Sequence, residues 1–273
     1  MEKPTFETKE AEIQWVIKNK ELILLEKKNT VKRADAFMQS YSHVDKDGAN
    51  KAEDVTSQTG DVNSLKASLV INTTGLMDSH CDVHIEGIWN KTIKEQNVVY
   101  LLQEHEMEFE KVISDSVNDE LKASAKTMSW KSLGFPFKGN TQALVFDTNI
   151  SKGRNPFMFE QYRKGYVLNH SVGMRYVKMF LCVDSEDPME AQYKENWDKY
   201  YPSIANKEVA DQKGYFWAVT EAKMIEGSAV VKGSNFATPT ISIEEKQDNE
   251  AVTDTSENEP TVVTQKNNNK LYY

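Results

Sequence analysis

The stretch HSVGMRYVKMFLCV, residues 170–183, decides how the rest of the chain is read. Within it Val177, Met179, Leu181 and Val183 fall on every second position, the period of a strand with one buried face. Similar short runs rich in β-branched and aromatic residues lie at 68–73 (SLVINT), 98–102 (VVYLL), 143–147 (ALVFD), 215–219 (YFWAV) and 224–231 (MIEGSAVV). Between them, helices are expected over 117–130 and 189–200. A shorter one at 157–164 stops at Gly165, the residue type that lets a chain leave a helix through the left-handed region. Strands interleaved irregularly with helices predict an α+β fold, with a β-barrel-like core surrounded by helices.

Outward from this middle region the composition changes. Residues 11–38 read as an amphipathic helix, with Ile13, Val16, Ile17 and Leu24 near helical spacing among Lys and Glu. Residues 40–66 are polar without an apolar period and read as a linker. Beyond Pro239 there is no aromatic residue until Tyr272 and Tyr273. From Glu244 to Glu259 the acidic residues Glu244, Glu245, Asp248, Glu250, Asp254, Glu257 and Glu259 stand against a single Lys246. Such a segment cannot bury enough surface to offset its chain entropy, so a disordered acidic tail is expected. The expected organisation is an N-terminal helix and linker over 1–66, a folded domain over 67–240 and the tail over 241–273.

The charge balance narrows the function classes. A net charge of −9 argues against nonspecific binding of nucleic acid, which needs a basic footprint. No apolar run approaches the roughly 18–20 residues of a membrane span, so no membrane partner is expected. The first residues, MEKPTFETKEAEIQ, lack the apolar core of a secretory signal. Two cysteines, Cys81 and Cys182, are too few for a disulfide framework and fit a reducing compartment.

Chemistry has to come from the five histidines, because the chain has no glycine-rich phosphate loop and no G-x-S-x-G elbow. His43 lies in the polar linker and reads as solvated. His80-Cys81-Asp82-Val83-His84 carries zinc-ligand residue types, but no second cluster completes a four-ligand site, so a surface loop between Gly75 and Gly87 is the plainer reading. His105 follows the apolar run VVYLL, a position that by itself favours a hydrogen-bonded core or edge residue. His170 adjoins Ser171, but sequence neighbours on an extended chain point to opposite faces. His170 is therefore a poor base for that serine, and His105 is free to be one. Ser228 is the competing hydroxyl. It alternates with Glu226, so both fall on one strand face.

Three segments together resemble a known family, the prohead maturation proteases of tailed phages, whose barrel fold is similar to that of the herpesvirus assemblins. The first is TTGLMDSHCDVHIEGIWNKTI followed by VVYLLQEH, within residues 73–105. It looks like the family's opening block, an Asp-rich turn and an apolar strand ending in the catalytic histidine, with Asp78, Asp82, Gly87 and His105 on the pattern. Cys81 stands where the family usually has glycine. The second is YRKGYVLNHSVGMRYVKM (162–179), similar to the strand whose S-hydrophobic-G carries the nucleophile, here Ser171-Val172-Gly173. The third is MIEGSAVVKGSNFATP (224–239), similar to the closing block, with Glu226, Ser228 and Val230 in place. Gly227 replaces a bulky apolar residue there, and residues 235–239 are a rearranged ending.

The resemblance implies a serine endopeptidase with Ser171 as nucleophile, His105 as base and Glu226 as the group that orients the histidine, with no cofactor and no metal. Arg175 is a further candidate for positioning the oxyanion loop. The implied substrates are a scaffold protein, the arm of a major capsid protein and the enzyme itself, and a homo-oligomer is implied. The implied place is the host cytoplasm, inside the phage procapsid. Two rivals stand beside it: a non-enzymatic virion or scaffold protein with a protease-like fold, and a metal-dependent hydrolase built on His80, Cys81 and His84.

Overall fold

The computed structural model describes residues 4–31, 62–95 and 97–246. Two short helices open the chain, α1 (Lys9–Lys18) and α2 (Lys20–Asn29). The expected single helix over 11–38 is broken at Asn19, whose side-chain amide donates to the Trp15 carbonyl (2.8 Å), and its part beyond residue 31 lies outside the described residues. Thr8 caps α1 by accepting from the Ala11 N–H at 3.1 Å. Ile13 and Val16 are buried in the main core, so these helices belong to the folded body. Lys27 fastens α2 further through an ion pair with Asp82, whose side chain is fully buried.

Among the described residues nine strands follow: β1 (Ser64–Thr73), β2 (Asp82–His84), β3 (Tyr100–Gln103), β4 (Val112–Asp115), β5 (Lys122–Ser129), β6 (Asn140–Ser151), β7 (Asn169–Val183), β8 (Tyr215–Val230) and β9 (Thr240–Lys246). Helix α3 (Asn90–Lys94) lies between β2 and β3, α4 (Pro156–Arg163) between β6 and β7, and α5 (Ala191–Tyr200) and α6 (Lys207–Lys213) between β7 and β8. The strands form a four-stranded sheet, β5-β6-β1-β9, and a five-stranded sheet. In the second sheet β7 pairs antiparallel with β8 along its length, so β2 and β3 occupy successive parts of the other β8 edge, both parallel to it. The fold is α+β, and its strand pairings among the described residues make two sheets rather than one closed ring.

Several sequence expectations change here. Residues 122–129, expected within a helix, form strand β5, because pairing with β6 from Lys122↔Asp147 to Ser129↔Asn140 overrides the helical propensity of an Ala- and Lys-containing run. The two runs at 215–219 and 224–231 are one bent strand. The boundary at 66/67 falls inside β1 and that at 240/241 inside β9, where the expected tail instead pairs with β1. Tail residues 247–273, linker residues 32–61 and with them His43 lie outside the described residues. In β7 a register shift between Tyr176 and Lys178 resets the alternation, so Tyr176 is buried and Val177 exposed. Cys81 has φ +59°, the region glycine adopts freely, at the position where the resembled family has glycine.

The two sheets share one core. Leu65, Leu69, Ile71, Leu144 and Phe146 of one pack with Val83, Leu101, Val172, Met174 and Leu181 of the other. They approach closely at Gly227, where a Cβ would stand 2.6 Å from Phe146 Cε2 and 3.0 Å from Ile71 Cγ2. Position 227 therefore has room for glycine and not for a bulkier residue. Gly227→Ala is expected to lower stability by about 1–3 kcal/mol through overpacking. Urea titration of the two proteins reads this as a lower midpoint.

Candidate active site

Because side chains alternate along a strand, Gly227 faces the sheet interface and Glu226 and Ser228 face away from it. Antiparallel register then sets Ser171 opposite Ser228 and Gly173 opposite Glu226. All four positions therefore share one face of the β7–β8 pair. β3 lies along the other edge of β8, with Leu102 beside Ser228 and Gln103 beside Ala229, so the chain leaves β3 next to this face. It turns at once. Glu104 and His105 have φ of +52° and +61°, and the Glu106 N–H donates to the Gln103 carbonyl at 3.0 Å. Two successive left-handed residues with this bond match a type I′ turn, at some strain because neither is glycine. The turn is pinned by Glu104, whose N–H donates to the Ala229 carbonyl (2.9 Å) and whose carboxylate accepts from the Val231 N–H (2.9 Å).

This turn brings His105 onto Glu226. The imidazole Nδ1–H donates to Glu226 Oε1 at 2.6 Å, and Ser228 Oγ donates to Glu226 Oε2, also at 2.6 Å. The His105 backbone N–H donates to Ser228 Oγ at 3.2 Å. Relative exposures of 6% for His105, 3% for Glu226, 0% for Ser228 and 6% for Ser171 make this a nearly dry cluster in which hydrogen bonds to charge are strong. His105 Nε2 is buried and has no hydrogen-bond partner. No bond from Ser171 to this nitrogen is formed, and such bonds are commonly long or misaligned before substrate binds. The carboxylate fits only because residue 173 is glycine: a Cβ there would lie 1.9 Å from Glu226 Oε1.

Around Ser171, the segment after β8 folds back over the strand. A Cβ on Gly233 would stand 2.9 Å from the His170 carbonyl oxygen and 3.7 Å from Ser171 Cβ. Asn235 fastens this segment to Thr73, donating to its carbonyl at 2.8 Å and accepting from its hydroxyl at 3.1 Å. Thr238 fastens it to His170, whose carbonyl accepts from the Thr238 hydroxyl at 2.6 Å.

The other histidines have different surroundings. His170 points away from Ser171 into the body of the protein. Its Nδ1–H donates to the Thr238 carbonyl at 3.1 Å, and its Nε2 accepts from the Tyr162 hydroxyl at 3.0 Å. Burial pulls its pKa down to about 4. His84 joins a buried chain in which Nε2 meets the Tyr176 hydroxyl (3.2 Å), which itself donates to Asp82 Oδ2 (3.0 Å). Nearby, Asp78 accepts from the His80 and Asp82 N–H groups. Burial, then the charge of Asp82, raises its carboxyl to about 7. Among the described residues no three His, Cys, Asp or Glu side chains are grouped to hold a metal ion. The expected surface loop at 80–84 is instead a turn at His80 and Cys81 leading into the buried strand β2, whose pairing with β8 draws Asp82 and His84 into the core. Arg175 is exposed on β7 opposite Lys223.

Sequence reading named His105, Glu226, Ser171 and Ser228. Not legible there are the need for a small residue at 173, the approach of Gly233 to Ser171 and the hold of Tyr162 and Thr238 on His170, because each of these relations crosses between segments. No helix among the described residues is long and apolar enough to cross a membrane. No family model, curated protein or solved structure matches the chain.

His170 sets a pH dependence. Its folded pKa, about 4, lies below the ordinary value near 6.5, so the unfolded chain binds the extra proton first. The associated stability is present above pH 6.5 and is lost as pH falls toward 4, by on the order of 3 kcal/mol at most. Denaturant titrations at pH 7, 6, 5 and 4 are expected to show a steeper loss for wild type than for His170→Gln. Asp78 titrates in both proteins and cancels in that comparison.

Proposed function

We propose that the chain is a serine endopeptidase of the prohead maturation type, acting on a scaffold protein or the arm of a major capsid protein, and on itself, inside the procapsid in the host cytoplasm. The observation that carries this reading is the buried His105 imidazole, held through Nδ1 by Glu226 and open at Nε2, on the face that also bears Ser171. Two sheets around one core also suit the barrel-like architecture of such enzymes. A homo-oligomer belongs to the same proposal.

The chemistry follows from the proton inventory. With Nδ1–H committed to Glu226, the neutral ring offers its lone pair at Nε2. Ser171 Oγ attacks the peptide carbonyl while its proton moves to Nε2, and Glu226 stabilises the resulting imidazolium. The same proton then passes to the leaving amine as the C–N bond breaks. Water, activated by His105, releases the acyl group and restores the serine. Backbone N–H groups are the donors proposed for the oxyanion, with no metal or cofactor in the scheme. Ser228 is the weaker nucleophile candidate, since its proton is already given to Glu226 and its side chain is wholly buried.

Ser171→Ala is expected to abolish processing, a loss of about 10⁴-fold or more, because members of a triad act as a unit. The check is a gel and intact-mass comparison of wild type and variant, each expressed with its cognate capsid protein. Equal processing by both would sink Ser171. No processing by either, in capsids that assemble, would favour a non-enzymatic scaffold protein.

A further inference from the structure

We propose that Ser228 is a positioning residue that sets the geometry of the His105–Glu226 pair and takes no part in bond making; this rests on the serine-protease reading above. Its hydroxyl hydrogen-bonds to both members of the pair. It gives its single proton to Glu226 Oε2 at 2.6 Å and accepts from the His105 backbone N–H at 3.2 Å. The first bond stops the carboxylate from rotating away from the imidazole, since Oε1 and Oε2 each then have a partner. The second ties down a turn whose two central residues are held at positive φ and that would relax if released. Ser228 thus holds the ring through its carboxylate on one side and its backbone on the other.

Surrounding residues leave little else to do this. Gly173 provides only space for Glu226 and no donor. Glu104 anchors the turn through bonds to Ala229 and Val231 and does not reach the carboxylate. Removing the Ser228 hydroxyl leaves Glu226 Oε2 and the His105 N–H without that partner in a buried site, where the carboxylate is free to swing. A displacement of about 1 Å in such a pair is worth up to roughly a hundredfold in rate. The loss also has a pH signature. Without a hydroxyl proton on Oε2, the carboxylate charge concentrates on the bond to His105 and favours the protonated ring. Loosened packing alone would slow the reaction equally at every pH.

The test uses a biotinylated fluorophosphonate, which needs no knowledge of the natural substrate. Labelling forms a bond from serine Oγ to phosphorus, breaks the P–F bond with loss of fluoride, and sends the hydroxyl proton to His105. In wild type the label is expected on Ser171 by peptide mass mapping. Ser228→Ala is expected to label at Ser171 about ten- to a hundredfold more slowly, with the acid limb of its rate profile moved to higher pH. Ser228→Cys, which keeps a weak donor, is expected to recover part of the rate. If Ser228→Ala fails to fold, Ser228→Cys against wild type carries the same comparison, with a smaller displacement in the same direction. Label on Ser228 in wild type overturns the proposal, and so does an unchanged rate and profile in a folded Ser228→Ala. A uniform slowing with no displacement does the same, reducing Ser228 to packing. No label on wild type at any serine is a separate result: the serine-protease reading itself fails, and this proposal falls with it.

Discussion

The antiparallel register of β7 on β8 is the constraint from which the candidate site follows. It puts Ser171 against Ser228 and Gly173 against Glu226, and since strand side chains alternate, a slip of one residue would send every one of these groups to the other face. The register shifts in this pair all lie beyond Gly173, toward the far end of β7, so the pairing through the site is uninterrupted. β8 does a second job. Because β3 runs parallel along its other edge, the chain emerges from β3 beside Ser228, and the turn at 104–105 has only to fold over to deliver the imidazole.

Two glycines, 173 and 227, let this arrangement be dense on both faces of one sheet. Gly227 admits Phe146 and Ile71 of the opposing sheet, while Gly173 admits the Glu226 carboxylate. A carboxylate so nearly removed from water needs compensation, and two short bonds, from His105 and Ser228, supply it on separate oxygens. The close packing behind β8 limits how far Glu226 can retreat, and the hydrogen bonds in front limit how it turns. Packing and polarity thus act on the same side chain from opposite directions.

Much of this was legible in the sequence, and the parts that were not share a physical cause. Alternation of 226 with 228 placed Glu and Ser together, and neighbouring positions on an extended chain separated His170 from Ser171, because both are properties of a single strand. The Lys, Ala and Ser residues of β5 carry no strand signal of their own, so their sequence predicts helix, and they take strand conformation from β6. β9 was absorbed into an acidic tail for the same reason: its pairing with β1 supplies what composition does not. The need for glycine at 173 belongs to a contact between β7 and β8, and the clasp of Thr238 and Tyr162 on His170 ties β7 to the end of α4 and to the segment after β8. Local pattern carries local geometry, and contacts between segments are invisible to it.

His105 and His170 differ in how completely they are hydrogen-bonded, and the base we propose is the incompletely bonded one. Both imidazoles are buried. His170 has a partner on each ring nitrogen, and burial holds it neutral, so it has nothing left to offer. His105 has Glu226 on one nitrogen and no partner on the other. An unmet buried nitrogen costs about 1–3 kcal/mol, and the left-handed turn that carries it adds strain of similar order. A fold that only needed to fill this space could do so with an apolar side chain at neither cost. An unpaired acceptor held in place by a carboxylate, a serine and a strained turn supports the role of base proposed for His105.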